Sequence, residues 1–400
     1  MENKKEKIEE FLNRGVAEIL PSRKRLEKLL LSNKKIKAYQ GFDPSMPNLH
    51  LGNLVGILKL RQLQELGHQI IFLIGDFTGM IGDPTDKSAA RQKLSRKEVL
   101  KNTKNWKSQV SRFLSFSGKN PVKIEFNSKW QDNISFKELI EISSYFTVQQ
   151  MIQRDFFQKR IKDKKPIYLH EFLYPVAQAI DCVKMDVDLE IGGSDQTFNM
   201  LAGRTLMKSM KNKEKFVLTT KLLVDKKGKK VGKTSGNALF LNNLPDDMFG
   251  KIMNLPDETI IPGFELLTFA PMEKIKVFAK KLKQKTINPI KIKKELAFEI
   301  VSMNYNKATA RKSLKEFEHV FKKKELPSKI PIVKVGRKSM SILDIMVKTK
   351  LASSKSDAKR LILQKSVKID GKVQNNWKEE ITIKKDMIVQ KGKKSFVKLS

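Results

Sequence analysis

The sequence predicts an α/β protein: a doubly wound parallel sheet, then a small helical domain, then a C-terminal α+β module. Two stretches carry the first part of that reading. Gln69-Ile-Ile-Phe-Leu-Ile-Gly75 is a continuous apolar run of strand length, the pattern of a parallel strand buried on both faces. Ahead of it, Ile36, Ala38 and Tyr39 form a short strand that Gly41 and Pro44 end. Leu51, Leu54 and Leu58 then repeat at helical spacing behind His50-Leu-Gly-Asn53. Strand, helix, strand in that order implies a right-handed crossover. Ligands of such sheets sit beyond the C-terminal strand ends, where His50 and Asp83 both fall.

The remaining elements follow in chain order. The α/β part is expected to fill residues 1–224. A glycine- and lysine-rich mobile loop runs over 225–244, containing Asp225-Lys-Lys-Gly-Lys-Lys-Val-Gly-Lys-Thr-Ser-Gly-Asn237. Amphipathic segments at Phe249 to Met253, Met272 to Leu282, Pro289 to Met303 and Ala308 to Phe321 predict a helical domain over 245–325. Two prolines in Glu325-Leu-Pro-Ser-Lys-Ile-Pro331 mark a linker over 326–338. The final module, 339–400, holds a short helix from Ser341 and a second behind the capping box Ser354-Lys-Ser-Asp357. Asp370-Gly371 is the two-residue turn of a hairpin from Val367 to Val373.

Composition narrows the function classes. With one cysteine, Cys182, no internal disulfide framework exists, and scattered His50, His68, His170 and His319 show no zinc-ligand spacing. No apolar run approaches the roughly 18 residues of a membrane span. The charged N-terminus has no apolar core behind it, so a cytoplasmic protein is expected. The net charge of +37, from 80 Lys and Arg against 43 Asp and Glu, favours a polyanionic partner, nucleic acid first. A general lysine bias would also spread such charge along the chain. From Lys322 onward, however, 22 Lys and Arg oppose only 7 Asp and Glu, which suits an RNA-binding module.

Four pieces carry chemistry. His50-Leu-Gly-Asn53 opens a helix whose first turn offers free N–H donors to phosphate, and Gly52 lets a large ligand approach. Tyr174-Pro-Val-Ala-Gln-Ala-Ile-Asp181 puts Tyr174, Gln178 and Asp181 on one helix face. Ile191-Gly-Gly-Ser-Asp-Gln196 presents a carboxylate and an amide from a glycine turn at a strand end, and Lys230-Val-Gly-Lys-Thr234 is a cationic loop.

In this order and spacing, the chain resembles the bacterial tyrosyl-tRNA synthetases, a class I family with a Rossmann-type catalytic sheet. His50-Leu-Gly-Asn53 stands for its HIGH signature and Lys230-Val-Gly-Lys-Thr234 for KMSKS. Tyr39-Gln-Gly-Phe-Asp-Pro44 and Thr78-Gly-Met-Ile-Gly-Asp-Pro84 match that family more closely than class I in general. The tail resembles an S4 RNA-binding domain, and the 245–325 block would be the anticodon-binding domain.

The resemblance implies a set of roles. Tyr39 and Asp181 contact the phenol hydroxyl of tyrosine; Asp83, Tyr174 and Gln178 hold its α-ammonium, with Gln196 beside it. Asp195 binds the adenylate ribose. Ser45, His50, Gly52, Asn53, Lys87, Arg91, Lys230, Lys233 and Thr234 serve ATP and its phosphates. It also implies tyrosine, ATP with Mg²⁺ and tRNA(Tyr) as substrates, a homodimer, and no protein-bound cofactor or metal. The tyrosine carboxylate is itself the nucleophile, so fixed donors around the phosphates, not a general base, are what the chemistry needs.

Two positions depart from the signatures: Asn53 replaces the second HIGH histidine, and the lysine loop lacks the first KMSKS serine. Plainer readings also stand beside the roles. Asp43 and Asp83 precede prolines as turn formers do, Ser45 could be plain loop, and Tyr174 with Gln178 could be a core stripe. Cys182, His68 and His170 read as structural; Trp106, Trp130 and Trp377 carry no readable role. Competing functions are a tryptophanyl relative, a synthetase-like RNA-binding protein without catalysis, and a small-molecule nucleotidyltransferase.

Overall fold

The computed structural model describes residues 2–83, 94–226, 228, 230–231, 238–322, 330–336, 339–384, 386–392 and 395–400. The chain forms two compact units, residues 1–313 and 314–400.

Six strands make the sheet of the first unit: β1 (Val16–Leu20), β2 (Lys37–Phe42), β3 (Gln69–Ile74), β4 (Lys123–Phe126), β5 (Leu189–Gly193) and β6 (Phe216–Thr220). Their order is β1-β6-β5-β2-β3-β4. All neighbours run parallel except β1, which caps β6 antiparallel. The chain lays β2, β3 and β4 outward in one direction and later adds β5 and β6 on the other side of β2. Between β2 and β5 the connections therefore diverge, which opens a crevice beyond the strand ends. Tyr39 and Glu190 are direct partners across that seam.

The apolar run of β3 is buried from Ile70 to Ile74, as a strand covered on both faces must be. One face packs on the Leu51–Glu65 helix through Leu51, Leu54 and Leu58. On the other, Tyr39, Ile71 and Leu73 meet Ile180, Val183, Leu206 and Met207 from the Leu169–Met185 and Thr197–Lys211 helices.

After the sheet come the helices Pro245–Met253, Ile260–Leu267, Met272–Lys283, Pro289–Asn304 and Lys307–Lys322, of which Ile260–Leu267 lies outside the expected segments. Pro245 and Pro289 open theirs at positions where a missing N–H costs nothing. The first four belong to the first unit. Buried Arg14, just past the N-terminal Glu2–Asn13 helix, donates to the carbonyls of Phe264 (2.9 Å), Glu265 (2.9 Å) and Ala270 (2.8 Å).

The second unit builds its own core from Ile345, Met346, Ile362, Val367, Val389 and Leu399. Its strands are β7 (Ile332–Val333), β8 (Ser339–Ser341), β9 (Val367–Ile369), β10 (Lys372–Val373), β11 (Glu380–Thr382), β12 (Ile388–Lys391) and β13 (Ser395–Leu399). Ile332 and Val333, in the stretch read as linker, pair in parallel with β13. The β9–β10 hairpin turns at Asp370 and Gly371, both at positive φ, as the Asp-Gly pair demands. Ser354 caps the Lys355–Leu363 helix by accepting from the Asp357 N–H. Among the described residues no helix is long and apolar enough to cross a membrane.

Candidate active site

At the β2/β5 seam a cavity of about 260 Å³ opens over the strand ends. Its floor comes from β2, where Tyr39 is fully buried and donates its hydroxyl proton to Glu190 Oε1 at 2.5 Å. Burial first, with Cys182 and the Glu190 and Asp181 carboxylates behind it, raises the Tyr39 pKa well above its ordinary value, so the proton stays on the phenol. The Leu169–Met185 helix supplies Tyr174, Gln178 and Asp181, all lining the same cavity. Asp181 accepts from Trp130 Nε1 (2.7 Å) and Gln131 Nε2 (2.7 Å) on one oxygen and Asn127 Nδ2 (3.2 Å) on the other. Burial nevertheless lifts its carboxyl to about 7.

A second group of polar side chains surrounds the next part of the cavity. Tyr174 donates to Asp43 Oδ2 at 2.7 Å, while Thr78 donates to Asp43 Oδ1 at 2.7 Å. Asp83 accepts from Gln196 Nε2 at 2.6 Å and from Arg154 at 3.2 Å. Two carboxylates, Asp43 and Asp83, thus stand on this part of the wall, with the Arg154 guanidinium beside Asp83.

The other end of the cavity gathers a helix start and a glycine turn. His50 stands at the start of the Leu51–Glu65 helix, with Ser45, Gly52 and Asn53 also on the cavity wall. Asn53 Oδ1 accepts from the His50 N–H at 2.9 Å, which closes the helix start and leaves the Asn53 amide protons for a ligand. The chain from Leu239 to Leu241 pairs back onto Leu49 and Leu51, bringing Phe240 opposite His50. Opposite, Asp195 follows the glycine turn. A Cβ at Gly193 would lie 2.5 Å from Asp195 Oδ1, so only glycine leaves that carboxylate in place. Lys230 pairs with Asp195 at 2.5 Å.

The cavity wall therefore brings together Tyr39, Ser45, His50, Gly52, Asn53, Asp83, Tyr174, Gln178, Asp181, Asp195, Gln196 and Lys230. Lys87, Arg91, Lys233 and Thr234 lie outside the described residues.

Comparison with known proteins decides the family. Residues 31–322 match the model of class I tRNA synthetases of the tryptophan and tyrosine type. Residues 322–399 match the C-terminal domain of tyrosine--tRNA ligases. The chain is 40% identical to tyrosine--tRNA ligase 2 of Clostridium acetobutylicum, across 100% of this chain and 99% of that one. It is 38% identical to the tyrosine--tRNA ligase of Thermotoga maritima, across 98% and 96%. The chain belongs to the tyrosine--tRNA ligase family of class I synthetases. In fold it resembles a C-terminally truncated mitochondrial tyrosyl-tRNA synthetase of Coccidioides posadasii, with a TM-score of 0.62 at 23% identity, covering 78% of this chain and 94% of that one. It is an ATP-dependent aminoacyl-tRNA synthetase.

Several polar groups in and behind the cavity of this synthetase carry no local sequence signature for their place there. Asp43 appeared as a turn former, yet two hydroxyls converge on it. Trp130 had no assigned role and proves to be a donor to Asp181. Cys182 is structural as expected, lying 3.0 Å from the Tyr39 hydroxyl, and burial with Glu190's charge pushes its thiol up to about 12. His68 is likewise a core side chain, its pKa lowered to about 4 by burial. Glu190 and Lys215 belong to none of the sequence motifs. A signal existed: a carboxylate between Leu189 and Ile191, in a strand buried on both faces, must find a cation.

Proposed function

We propose that this synthetase activates tyrosine with ATP and passes the tyrosyl group to the 3′ end of tRNA(Tyr). The observation that carries the reading is the two-ended cavity. Tyr39 and Asp181 form a buried polar end suited to a phenol hydroxyl, while His50, Asn53, Asp195 and Lys230 form a nucleotide end in the same space. Tryptophan has no hydroxyl for the first end, and phenylalanine would leave its polar groups without a partner, the strongest form of rejection a pocket offers.

The steps follow from the groups present. Asp83, Tyr174 and Gln178 hold the α-ammonium and point the carboxylate at the α-phosphorus. Attack forms the carboxyl–phosphate bond and releases pyrophosphate, with charge building on the phosphoryl oxygens. His50 and the cations of the 230–234 segment, with Lys87 and Arg91, neutralise that charge, and Gly52 and Ser45 let the phosphates approach. Asp195 takes the ribose. In the second step a terminal ribose hydroxyl of the tRNA attacks the acyl carbon and AMP departs. Mg²⁺ would accompany the nucleotide and supply further charge neutralisation at its phosphates.

The basic second unit supplies the RNA contact expected of an S4-like module. Lys359 lies 4.0 Å from the centre of the Trp377 ring and Lys378 lies 5.2 Å from it, a cationic and aromatic face suited to phosphate and bases. A second copy of the chain is the remaining partner. Phe136 (79% exposed) and Ile140 (56%) lie one turn apart on the Phe136–Ser143 helix, with Val148 (67%) just beyond, an apolar display that homodimer formation would cover. The place of work that fits this reading is the cytoplasm. Amino-acid-dependent ATP–pyrophosphate exchange across the twenty standard amino acids tests the activity; exchange supported best by anything but tyrosine overturns it.

A further inference from the structure

Behind the Tyr39 hydroxyl lies a buried charge pair that the steps above do not use. Glu190 (2% exposed) and Lys215 (0%) are joined as an ion pair at the β5/β6 side of the seam. Lys215 also donates to the Met200 carbonyl at 2.9 Å and reaches Cys182 Sγ at 3.2 Å. The packing is tight: a Cβ at Gly203 would stand 2.5 Å from Cys182 Sγ and 2.7 Å from Lys215 Nζ. On its other oxygen, Glu190 accepts from two cavity residues at once, the Tyr39 hydroxyl at 2.5 Å and Gln178 Nε2 at 2.9 Å.

We infer that Glu190, anchored by Lys215, is a positioning residue that sets the hydrogen-bond polarity of both tyrosine readers, turning Tyr39 and Gln178 into acceptors toward the substrate. An ionised carboxylate can only accept, so the single phenolic proton of Tyr39 is committed to Glu190, and the Tyr39 oxygen meets the cavity through its lone pairs. The same carboxylate selects the Gln178 amide orientation: the NH₂ must face Glu190, which turns Oε1 to the cavity. A ligand with an O–H donor at one end and an ammonium at the other satisfies both. Burial disfavours the Lys215 ammonium, but the Cys182 and Glu190 beside it outweigh that cost and its pKa is raised, so the anchor keeps its charge.

This inference rests on Tyr39 and Gln178 being the tyrosine contacts, and its test separates the two. Glu190→Gln alone would strand a buried ammonium, so the variant is Glu190→Gln with Lys215→Met, compared with native enzyme and Tyr39→Phe in pyrophosphate exchange. The double variant is expected to raise KM for tyrosine and lower the tyrosine-to-phenylalanine preference by about tenfold each, with KM for ATP and kcat little changed. A folded double variant with native preference, beside a Tyr39→Phe that loses it, overturns the role of Glu190 and leaves the site standing. A Tyr39→Phe with native preference overturns the site and the inference with it. Should the double variant not fold, Glu190→Asp carries the same test. It keeps a charge for Lys215 but withdraws the carboxylate from both readers.

Discussion

Lys230 Nζ lies 2.5 Å from Asp195 Oδ2, so the first lysine of the signature loop sits on the carboxylate proposed to bind ribose. The pair is partly exposed, with Lys230 42% and Asp195 24% accessible, and such pairs are worth only about 0–1 kcal/mol. A nucleotide can displace it cheaply. Lys230→Ala is therefore expected to leave ATP affinity nearly unchanged, because losing a phosphate contact is offset by freeing Asp195. The rate of adenylate formation should still fall, by about 10- to 100-fold. Pre-steady-state adenylate formation over a range of ATP concentrations separates the two quantities, and a pure affinity loss would contradict the assignment.

Asp181 gives a pH signature. Its carboxyl titrates near 7 in the fold against 3.8 ordinarily, with burial the leading cause. The folded chain therefore holds this proton more tightly than the unfolded chain does. The stabilisation is whole below about pH 4 and is lost as pH rises through 7. Asp181→Asn lacks that loss, so relative to native protein it should gain stability between pH 5 and pH 8, on the order of a few kcal/mol. Urea unfolding at the two pH values measures it; parallel pH profiles would show that Asp181 does not titrate there.

Trp130 deserves a test of its own because it reads as an ordinary half-buried aromatic. Trp130→Phe keeps the ring but removes one of the three donors to Asp181. Stability should fall by about 1–2 kcal/mol, and tyrosine affinity should fall with it while ATP affinity holds. Calorimetric binding of each substrate separately checks this, and a uniform loss would mean simple misfolding.

Gly56 and Gln40 form a steric pair across the Leu51–Glu65 helix and β2. A Cβ at Gly56 would lie 1.7 Å from Gln40 Oε1, an atom without a hydrogen-bond partner among the described residues. Gly56→Ala should destabilise the protein by about 1–3 kcal/mol, and adding Gln40→Ala should recover most of that. An additive double-mutant cycle would count against the pairing.

The second unit has its own core, so removing residues 332–400 should spare the first step of the reaction. Pyrophosphate exchange is expected within about twofold of native, while tRNA charging drops at least tenfold and loses its steep salt dependence. Equal losses in both assays would assign the tail a structural role.

The sheet was legible because parallel strands buried on both faces leave unbroken apolar runs, and β3 is one. The helix starts at Pro289 and Ser354 were legible because these residues occupy positions that few others favour, whereas the helix expected from Phe249 begins a turn earlier, at Pro245. The cavity was legible only where its residues sit in compact local patterns, such as Tyr174, Gln178 and Asp181 on one helix face. What stayed hidden is made of long-range polar partners. Trp130 reaches Asp181 across 51 positions, and Tyr39 reaches Glu190 across 151. No local pattern encodes such distances, since each side chain alone resembles an ordinary surface or core residue. The order of β5 and β6 beside β2 is what brings them together.

Arg14 bears on how the protein is made. Its guanidinium is satisfied by the carbonyls of Phe264, Glu265 and Ala270, residues that a ribosome emits some 250 positions later. β1, just after it, waits in the same way for β6. The amino-terminal segment is thus translated first but docks late: a nascent chain arrested before residue 216 would carry an undocked arginine and an unpaired leading strand for chaperones to hold, and one arrested before residue 264 still the undocked arginine.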